Sequence, residues 1–352
     1  MLIRPIEERD LDALHAIAIE TGEGFTSLPD NREFLAEHIA ATRAAFEKTE
    51  DHPSLKDAPD LYFFVLEDDS VDTDASAADR IAGCCAIEAR VGLDVPFYNY
   101  RVGRLAQASK QLDLNRVIDT LFLSSDHTGD AEVCSLYLRP DWRVSGQRNG
   151  TLLSRVRWLF MAIYRARFPD RVLAEMRGRF DDADVNPFWQ SLGQHFFPID
   201  FGDADRLTGL GQKSFIGELM PRYPICTAML PQAARDCLGQ VHEQTQPALA
   251  MLNAQGLRYE GYIDIFDAGP TVEAYLNDVK AVRDSIEVVA VVDAQAVDPG
   301  SPVTLAATMG TCASFRSAWV GRLPAHGELA VHPDEAARLG IVDGARLRVL
   351  CD

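Results

Sequence analysis

The segment Tyr137-Leu-Arg-Pro-Asp-Trp-Arg143-Val-Ser-Gly146-Gln-Arg-Asn-Gly150-Thr-Leu-Leu153 runs from a strand-like pattern through a glycine-containing loop into a helical pattern. Backbone N–H groups at a helix start have no intrahelical acceptor and carry the positive end of the helix dipole, so such a loop can hold a pyrophosphate without a metal. The same pattern also makes a plain cap and turn. A Walker A loop is excluded because no G-x-x-x-x-G-K-[ST] occurs. A Rossmann fingerprint fails because this loop does not follow the first strand with G-x-G-x-x-G spacing. Phosphate binding outside those two signatures points toward coenzyme A.

Other chemistry-bearing residues are less organised. Asp126-His127 suggests a dyad or a ligand pair, but adjacent residues rarely aim at one atom and no third ligand stands at a helical offset. It reads as pocket or loop structure, and no metal site is expected. Seven cysteines, an odd number without a CxxC, do not make a disulfide framework. Cys84 and Cys85 sit inside an apolar run as small hydrophobes. No cysteine stands in a recognisable Cys/His motif, so direct transfer is favoured over a covalent intermediate.

The elements that must position these groups follow from periodicity. Residues 2–6 read as a strand, and Leu11, Leu14 and Ala18 share one helical face. Thr21 to Pro29 has the glycine and proline of a loop, and Asp30 or Asn31 is placed to cap a helix through Phe34, Ile39 and Phe46. Residues 61–66 and 80–88 read as antiparallel strands joined by an acidic, small-residue loop over 68–79. Residues 132–138 form another strand, 151–168 a helix, and 172–176 a further strand. Beyond about residue 240 short strands at 262–266, 287–292, 303–309 and 347–350 suggest a smaller β-rich unit. Phe188 and Trp189 are candidates for pocket lining or for core packing.

At 352 residues the chain fits about two domains. The expected division is 1–240, an α/β domain, and 241–352, a small β-rich domain. A net charge of −19 lacks the basic face that nucleic acid or an anionic membrane requires. No window reaches the ~18 apolar residues of a membrane span, and Met1-Leu-Ile-Arg-Pro-Ile-Glu-Glu-Arg is too charged for a signal peptide. A cytoplasmic protein is expected.

The loop resembles the pyrophosphate loop of the GNAT family of acyl-CoA N-acyltransferases, Q/R-x-x-G-x-G/A after a strand. Arg143-Val-Ser-Gly146 matches its first half; Gly150 comes four positions after Gly146 where the family has a small residue two positions on, a two-residue expansion. Longer blocks are similar to the arginine N-succinyltransferase family: Thr21–Pro29, Tyr98–Gly103, Leu121–Gly129, Ala174–Gly178, Pro187–Gly193, Gly211–Pro221, Gly239–His242 and Tyr262–Asp267. The resemblance covers roughly residues 1–275. It implies a GNAT-like mixed sheet with flanking helices, succinyl-CoA and L-arginine as substrates, no permanently bound cofactor, and assembly as a homo-oligomer or with a paralogous subunit. An ornithine N-succinyltransferase and a noncatalytic CoA-binding subunit are the alternatives.

Carried over by position, the resemblance puts the catalytic histidine on His242 and a succinyl-CoA contact on Leu136, with Arg143, Gly146 and Gly150 on the pyrophosphate. Glu243 stands where relatives often have proline. Histidine exchanges protons near neutral pH, so His242 is assigned as general acid to the departing thiolate. Its alternative is a cap on a helix over 245–252. Leu136 can act only through its backbone, as an amide donor to the thioester oxygen, or else as core. A guanidinium wants a carboxylate, and Glu88, Asp126, Glu132 and Glu175 are the candidates.

Overall fold

The computed structural model describes residues 1–22, 25, 27–55, 57–69, 80–144, 146–181, 183–296 and 304–351. Most of the acidic loop over 68–79, Gly24 of the first glycine loop, and Ser145 of the phosphate loop lie outside them. The strands are β1 (Leu2–Pro5), β2 (Leu61–Glu67), β3 (Ile81–Glu88), β4 (Asn99–Ser109), β5 (Leu114–Ser124), β6 (Ala131–Leu138), β7 (Arg171–Glu175) and β8 (Ile225–Cys226). They continue as β9 (Arg258–Asp264), β10 (Pro270–Tyr275), β11 (Ile286–Val292), β12 (Thr304–Thr308), β13 (Ser317–Val320), β14 (Glu328–Val331) and β15 (Arg346–Cys351). Together they form one sheet in the order β14-β11-β15-β12-β13-β1-β2-β3-β6-β7-β10-β9-β4-β5-β8.

Alternation in β2 and β3 builds two hydrophobic layers. Phe63, Val65, Cys84 and Ala86 face α1 (Leu11–Thr21) and most of α2 (Arg32–Glu47). Tyr62, Phe64, Leu66, Ala82 and Cys85 face α3 (Asn149–Ile163) on the other side. The two adjacent cysteines therefore enter opposite cores, as the small-hydrophobe reading requires. The helix α3 is apolar on nearly every face: Leu152, Leu153, Val156, Trp158, Leu159, Phe160 and Met161 are all fully buried. Such a helix is stable only when enclosed. Phe160 sits among Phe46, Tyr62, Phe64 and Phe315 with edge-on or tilted rings. Asn31 caps α2, its Oδ1 accepting from the Phe34 N–H at 3.1 Å.

Two features describe how the chain runs beyond residue 240. The strands β9 and β10 lie inside the central sheet, β10 beside β7 and β9 beside β4. The strands β11 to β15 extend the opposite end, joined through β13 and β1 at Ile3↔Ser317. Phe315, between β12 and β13, inserts from this end of the sheet into the main core. The β4–β5 hairpin, eleven register pairs long, has no counterpart in the sequence-based strands. Its outer half exposes Leu105, Leu112 and Val117 beside Arg104 and Arg116, so neither face carries a clean alternation.

The functional consequence of the topology lies at β6 and β7. They are parallel and share only the pairs Ala131↔Val172 and Glu132↔Leu173. Register with β3 slips between Cys84↔Tyr137 and Ala86↔Cys134, so Ser135 and Leu136 together oppose Cys85. Ser135 takes φ 51°, a bulge that bends β6 away from β7. Past residue 132 the two strands part, and the sheet opens into a cleft.

Candidate active site

The loop between β6 and α3 stands at the end of this cleft. The Leu152 N–H closes the first turn of α3 on the Arg148 carbonyl, which leaves Asn149, Gly150 and Thr151 at its open end. Gly146 has φ 91° and Arg148 φ 58°, so the chain twists twice through the left-handed region before the helix begins. A side chain at Gly146 is strained for that reason. At Gly150 an added Cβ meets only Leu138 Cδ2 at 3.9 Å, an ordinary contact. Of the two expected glycines, only Gly146 is required by the backbone.

Cations surround the helix start. The Arg143 Nε donates to the Leu138 carbonyl at 2.7 Å and its guanidinium lies 5.6 Å from the Tyr137 ring. The Arg148 guanidinium stacks 4.7 Å over Trp319. Burial, and then Arg148, hold Arg155 below its usual value. Clustered cations beside the positive end of a helix attract an anion. Leu136 is half-buried against the main core, directly after the bulge.

Below the loop, a cavity of about 460 Å³ is lined by Glu88, Glu132, Cys134, Ser135, Glu175 and Lys213 among others. A smaller one of about 120 Å³ continues past Glu175 toward Arg177 and Asp264. Glu175, Phe97, Thr208 and Lys213 line both. Three of the four carboxylates expected from the sequence therefore converge. Asp126 does not: it accepts from the Tyr262 hydroxyl at 2.8 Å and pairs with Arg101 at 3.6 Å, on the far side of the sheet order at β4.

Crowding of like charges shifts these groups. Burial, and then its cross-strand partner Glu132, push Glu88 up to about 7. Burial raises Glu132; burial, Asp264 and Glu132 raise Glu175 well above the carboxylate range. Lys213, before α4 (Ser214–Leu219), opposes all three shifts. Its ammonium lies 6.0 Å from the Phe97 ring centre, and among the described residues it makes no close ion pair. A desolvated cluster of acids welcomes a cation, which restores their ionisation. Cys134 is held in the thiol form by burial and by Glu132, so it is a poor nucleophile.

His242 is fixed beside the end of β7. Its N–H donates to the Arg177 carbonyl at 2.8 Å, and Gly178 bridges to Val241. The Gly178 N–H in turn donates to Asp267 Oδ2 at 2.6 Å. An added Cβ at Gly178 lands 2.3 Å from the Asp267 carbonyl oxygen, so glycine is needed there. The His242 Nδ1 accepts from the Gln244 N–H at 3.2 Å and caps a short turn over Glu243–Thr245. Burial and Arg177 lower its pKa. In its neutral form the ring carries its hydrogen on Nε2, because Nδ1 accepts from Gln244. Arg177 lines the smaller cavity; the linings of the two cavities do not include His242.

Several site residues were not legible in the sequence. Lys213 lies within the similar block Gly211–Pro221, which was the only signal for it. His127 does not act with Asp126. It is fully buried, with Nδ1 2.9 Å from Asn99 Oδ1 and Nε2 2.6 Å from Glu273 Oε2. Phe188 and Trp189 are core, 0% and 2% exposed. Among the described residues no group of three or more His, Cys, Asp or Glu side chains is arranged to hold a metal ion.

A mixed sheet that parts beside a bulged strand, with a cation-rich helix start above the gap, defines an acyltransferase of the GNAT kind. A sequence model described as "Arginine N-succinyltransferase beta subunit" matches residues 1–281. This chain belongs to the arginine N-succinyltransferase family. Arginine N-succinyltransferases from several Escherichia coli strains, K12 among them, are 48% identical over 307 residues, covering 87% of this chain and 85% of theirs. The structure of arginine/ornithine succinyltransferase subunit AI from Pseudomonas aeruginosa superposes with a TM-score of 0.85 at 31% identity, over 99% of this chain and 98% of that one.

Proposed function

We propose that this chain transfers the succinyl group of succinyl-CoA to the α-amine of L-arginine, giving N2-succinyl-L-arginine and CoA. The observation that carries the reading is the acidic cavity reaching the β6 bulge: carboxylates for a cationic amino acid open directly onto the strand gap suited to a thioester. The pyrophosphate rests on the open end of α3, with Arg143, Gly146 and Gly150 in the loop that approaches it. The Leu136 amide donates to the thioester oxygen as negative charge develops there.

The amine attacks the thioester carbon, a C–N bond forms and the C–S bond breaks. The protonated His242 gives its proton to the departing thiolate, and the ring is reprotonated by the attacking nitrogen as the amide forms. Its lowered pKa makes the imidazolium a stronger acid, and protonation sacrifices the cap on the Gln244 N–H, so the proton is readily given up. The succinyl-CoA is a co-substrate, and no permanently bound group enters the scheme. All seven cysteines are free thiols, which suits a cytoplasmic enzyme. No described helix is long and apolar enough to cross a membrane.

The test is thiol release by the purified chain given succinyl-CoA with arginine, ornithine or lysine. Release with arginine and identification of the N2-succinyl product support the reading. Release only with ornithine moves the substrate to the shorter cation, and no release with any amine overturns the enzyme reading for the isolated chain.

A further inference from the structure

A buried polar chain crosses the sheet behind the acidic cavity. Asn99 on β4 donates through Nδ2 to Glu175 Oε1 at 2.8 Å and to Thr271 Oγ1 at 3.2 Å. Its Oδ1 meets His127 Nδ1 at 2.9 Å, and His127 Nε2 meets Glu273 Oε2 at 2.6 Å. Glu273 Oε1 accepts from Arg171 at 3.0 Å, and Arg171 lies 3.5 Å from Asp130. The His127 ring packs edge-on against Tyr262 and Phe97, with centroids 4.4 and 6.4 Å away. His127 and Thr271 are 0% exposed and Asn99 1%.

Burying this many polar groups is unfavourable unless each is paired, and here the pairing has a direction. Glu273 is held below the usual carboxylate range by the hydrogen bond from His127, so it is an acceptor. Both imidazole nitrogens lie within hydrogen-bond distance of an oxygen, Asn99 Oδ1 on one side and Glu273 Oε2 on the other. The Asn99 amide oxygen is thereby occupied, and its NH2 must point at Glu175. One carboxylate oxygen of Glu175 is pinned from behind, while the side chain lines both cavities. Glu132 takes a hydrogen bond from the Glu175 backbone, and among the described residues no side-chain donor is seen on Glu88 or Glu132.

We propose that Glu175 receives the attacking ammonium of the amino-acid substrate and takes its proton, and that Asn99, His127 and Glu273 are positioning residues that hold it for that task. The inference rests on the proposed transferase reaction. In it the ammonium proton passes to Glu175 and the freed lone pair forms the C–N bond; the C–S bond breaks, the thiolate takes a proton from the protonated His242, and the second proton of the attacking nitrogen returns to that ring as the amide forms. Glu175 is faced by Glu132 from β6, Asp264 from β9, and Lys213 ahead of α4; the first two disfavour its ionised form and Lys213 favours it. Asn99 also favours the ionised form, because a donor to a carboxylate stabilises the charge.

The test is the pH profile of kcat/KM for arginine in Asn99→Leu, His127→Leu and His127→Gln, with the KM for succinyl-CoA measured alongside. Loss of the Asn99 donor leaves Glu175 protonated to higher pH, so the acid limb of Asn99→Leu moves upward. Near neutral pH its kcat/KM falls about tenfold to a hundredfold, less than the about hundredfold to ten-thousandfold of a whole acid–base contribution because Glu175 itself remains. His127→Leu behaves likewise, and His127→Gln, which retains an N–H donor toward Asn99, recovers part of the loss. The KM for succinyl-CoA stays within about threefold. Should the buried variants not fold, Glu175→Gln keeps the side-chain shape: it binds succinyl-CoA by calorimetry, loses turnover with arginine, and lacks the acid limb. An unmoved limb in Asn99→Leu, or full activity in Glu175→Gln, overturns this inference alone. A wild-type chain that releases no CoA with arginine overturns the transferase reading and this inference together.

Discussion

Glu88→Gln tests the electrostatic strain of the acidic cavity. The carboxyl lies opposite Glu132 in the β3–β6 register and is shielded from water, which pushes it from the ordinary 4.5 to about 7. Lys213 offsets part of that, and Asp94 adds to it. Between those two values the folded state binds the proton that the unfolded chain has released. Stability therefore falls as pH rises through that window, and the loss is complete above the folded value. At 1.36 kcal/mol per pH unit, less what water entering the open cavity screens, the loss is about 1 to 3 kcal/mol. Glutamine keeps the shape and cannot ionise. Urea unfolding at about pH 8 should show the variant more stable than wild type by that amount, while at about pH 5 most of the difference has disappeared. A stability difference that is the same at both pH values refutes the reasoning. Activity toward arginine should fall as stability rises, the trade expected where a site is built from mutually repelling groups.

Other sites carry independent predictions. His242→Ala should lower kcat by about a hundredfold to ten-thousandfold with little change in KM for arginine, as steady-state kinetics will show. Arg148→Ala should raise the KM for succinyl-CoA, with a smaller effect at higher salt, because the guanidinium acts mainly through charge near the helix start. Gly178→Ala should reduce both stability and turnover, since the new methyl meets the Asp267 carbonyl and the displaced turn carries His242; thermal unfolding and kcat report the two effects. Arg4→Met removes a bidentate pair to Asp10 and a contact to Glu67, all buried, and should cost about 3 to 5 kcal/mol in urea unfolding.

What could be read from the sequence was local. The alternation of β2 and β3, the cap at Asn31 and the enclosed helix α3 are written in spacing and side-chain type. The phosphate loop was legible as strand, glycine, helix, though only the backbone distinguishes Gly146, which needs its φ, from Gly150, which does not. Register was not legible. Glu88, Glu132 and Glu175 look like three unrelated strand acids until β3, β6 and β7 are laid side by side. His127 looked inert beside Asp126 because its true acceptor, Glu273, is 146 residues away. The β4–β5 hairpin escaped because its exposed outer half lacks the buried face from which periodicity is read.

The junction at β1 has a consequence for synthesis. This strand precedes every other described strand, yet its outer neighbour β13 comes after all but two of them. At about 5 to 20 residues per second, its outer edge waits roughly 10 to 50 s after β2 emerges before a partner exists. A waiting edge is a template for another nascent chain. Here the edge is four residues long and ends at Pro5, which offers no N–H. The brevity that leaves a single register pair at Ile3↔Ser317 also keeps the unfinished chain from pairing with its neighbours on the polysome.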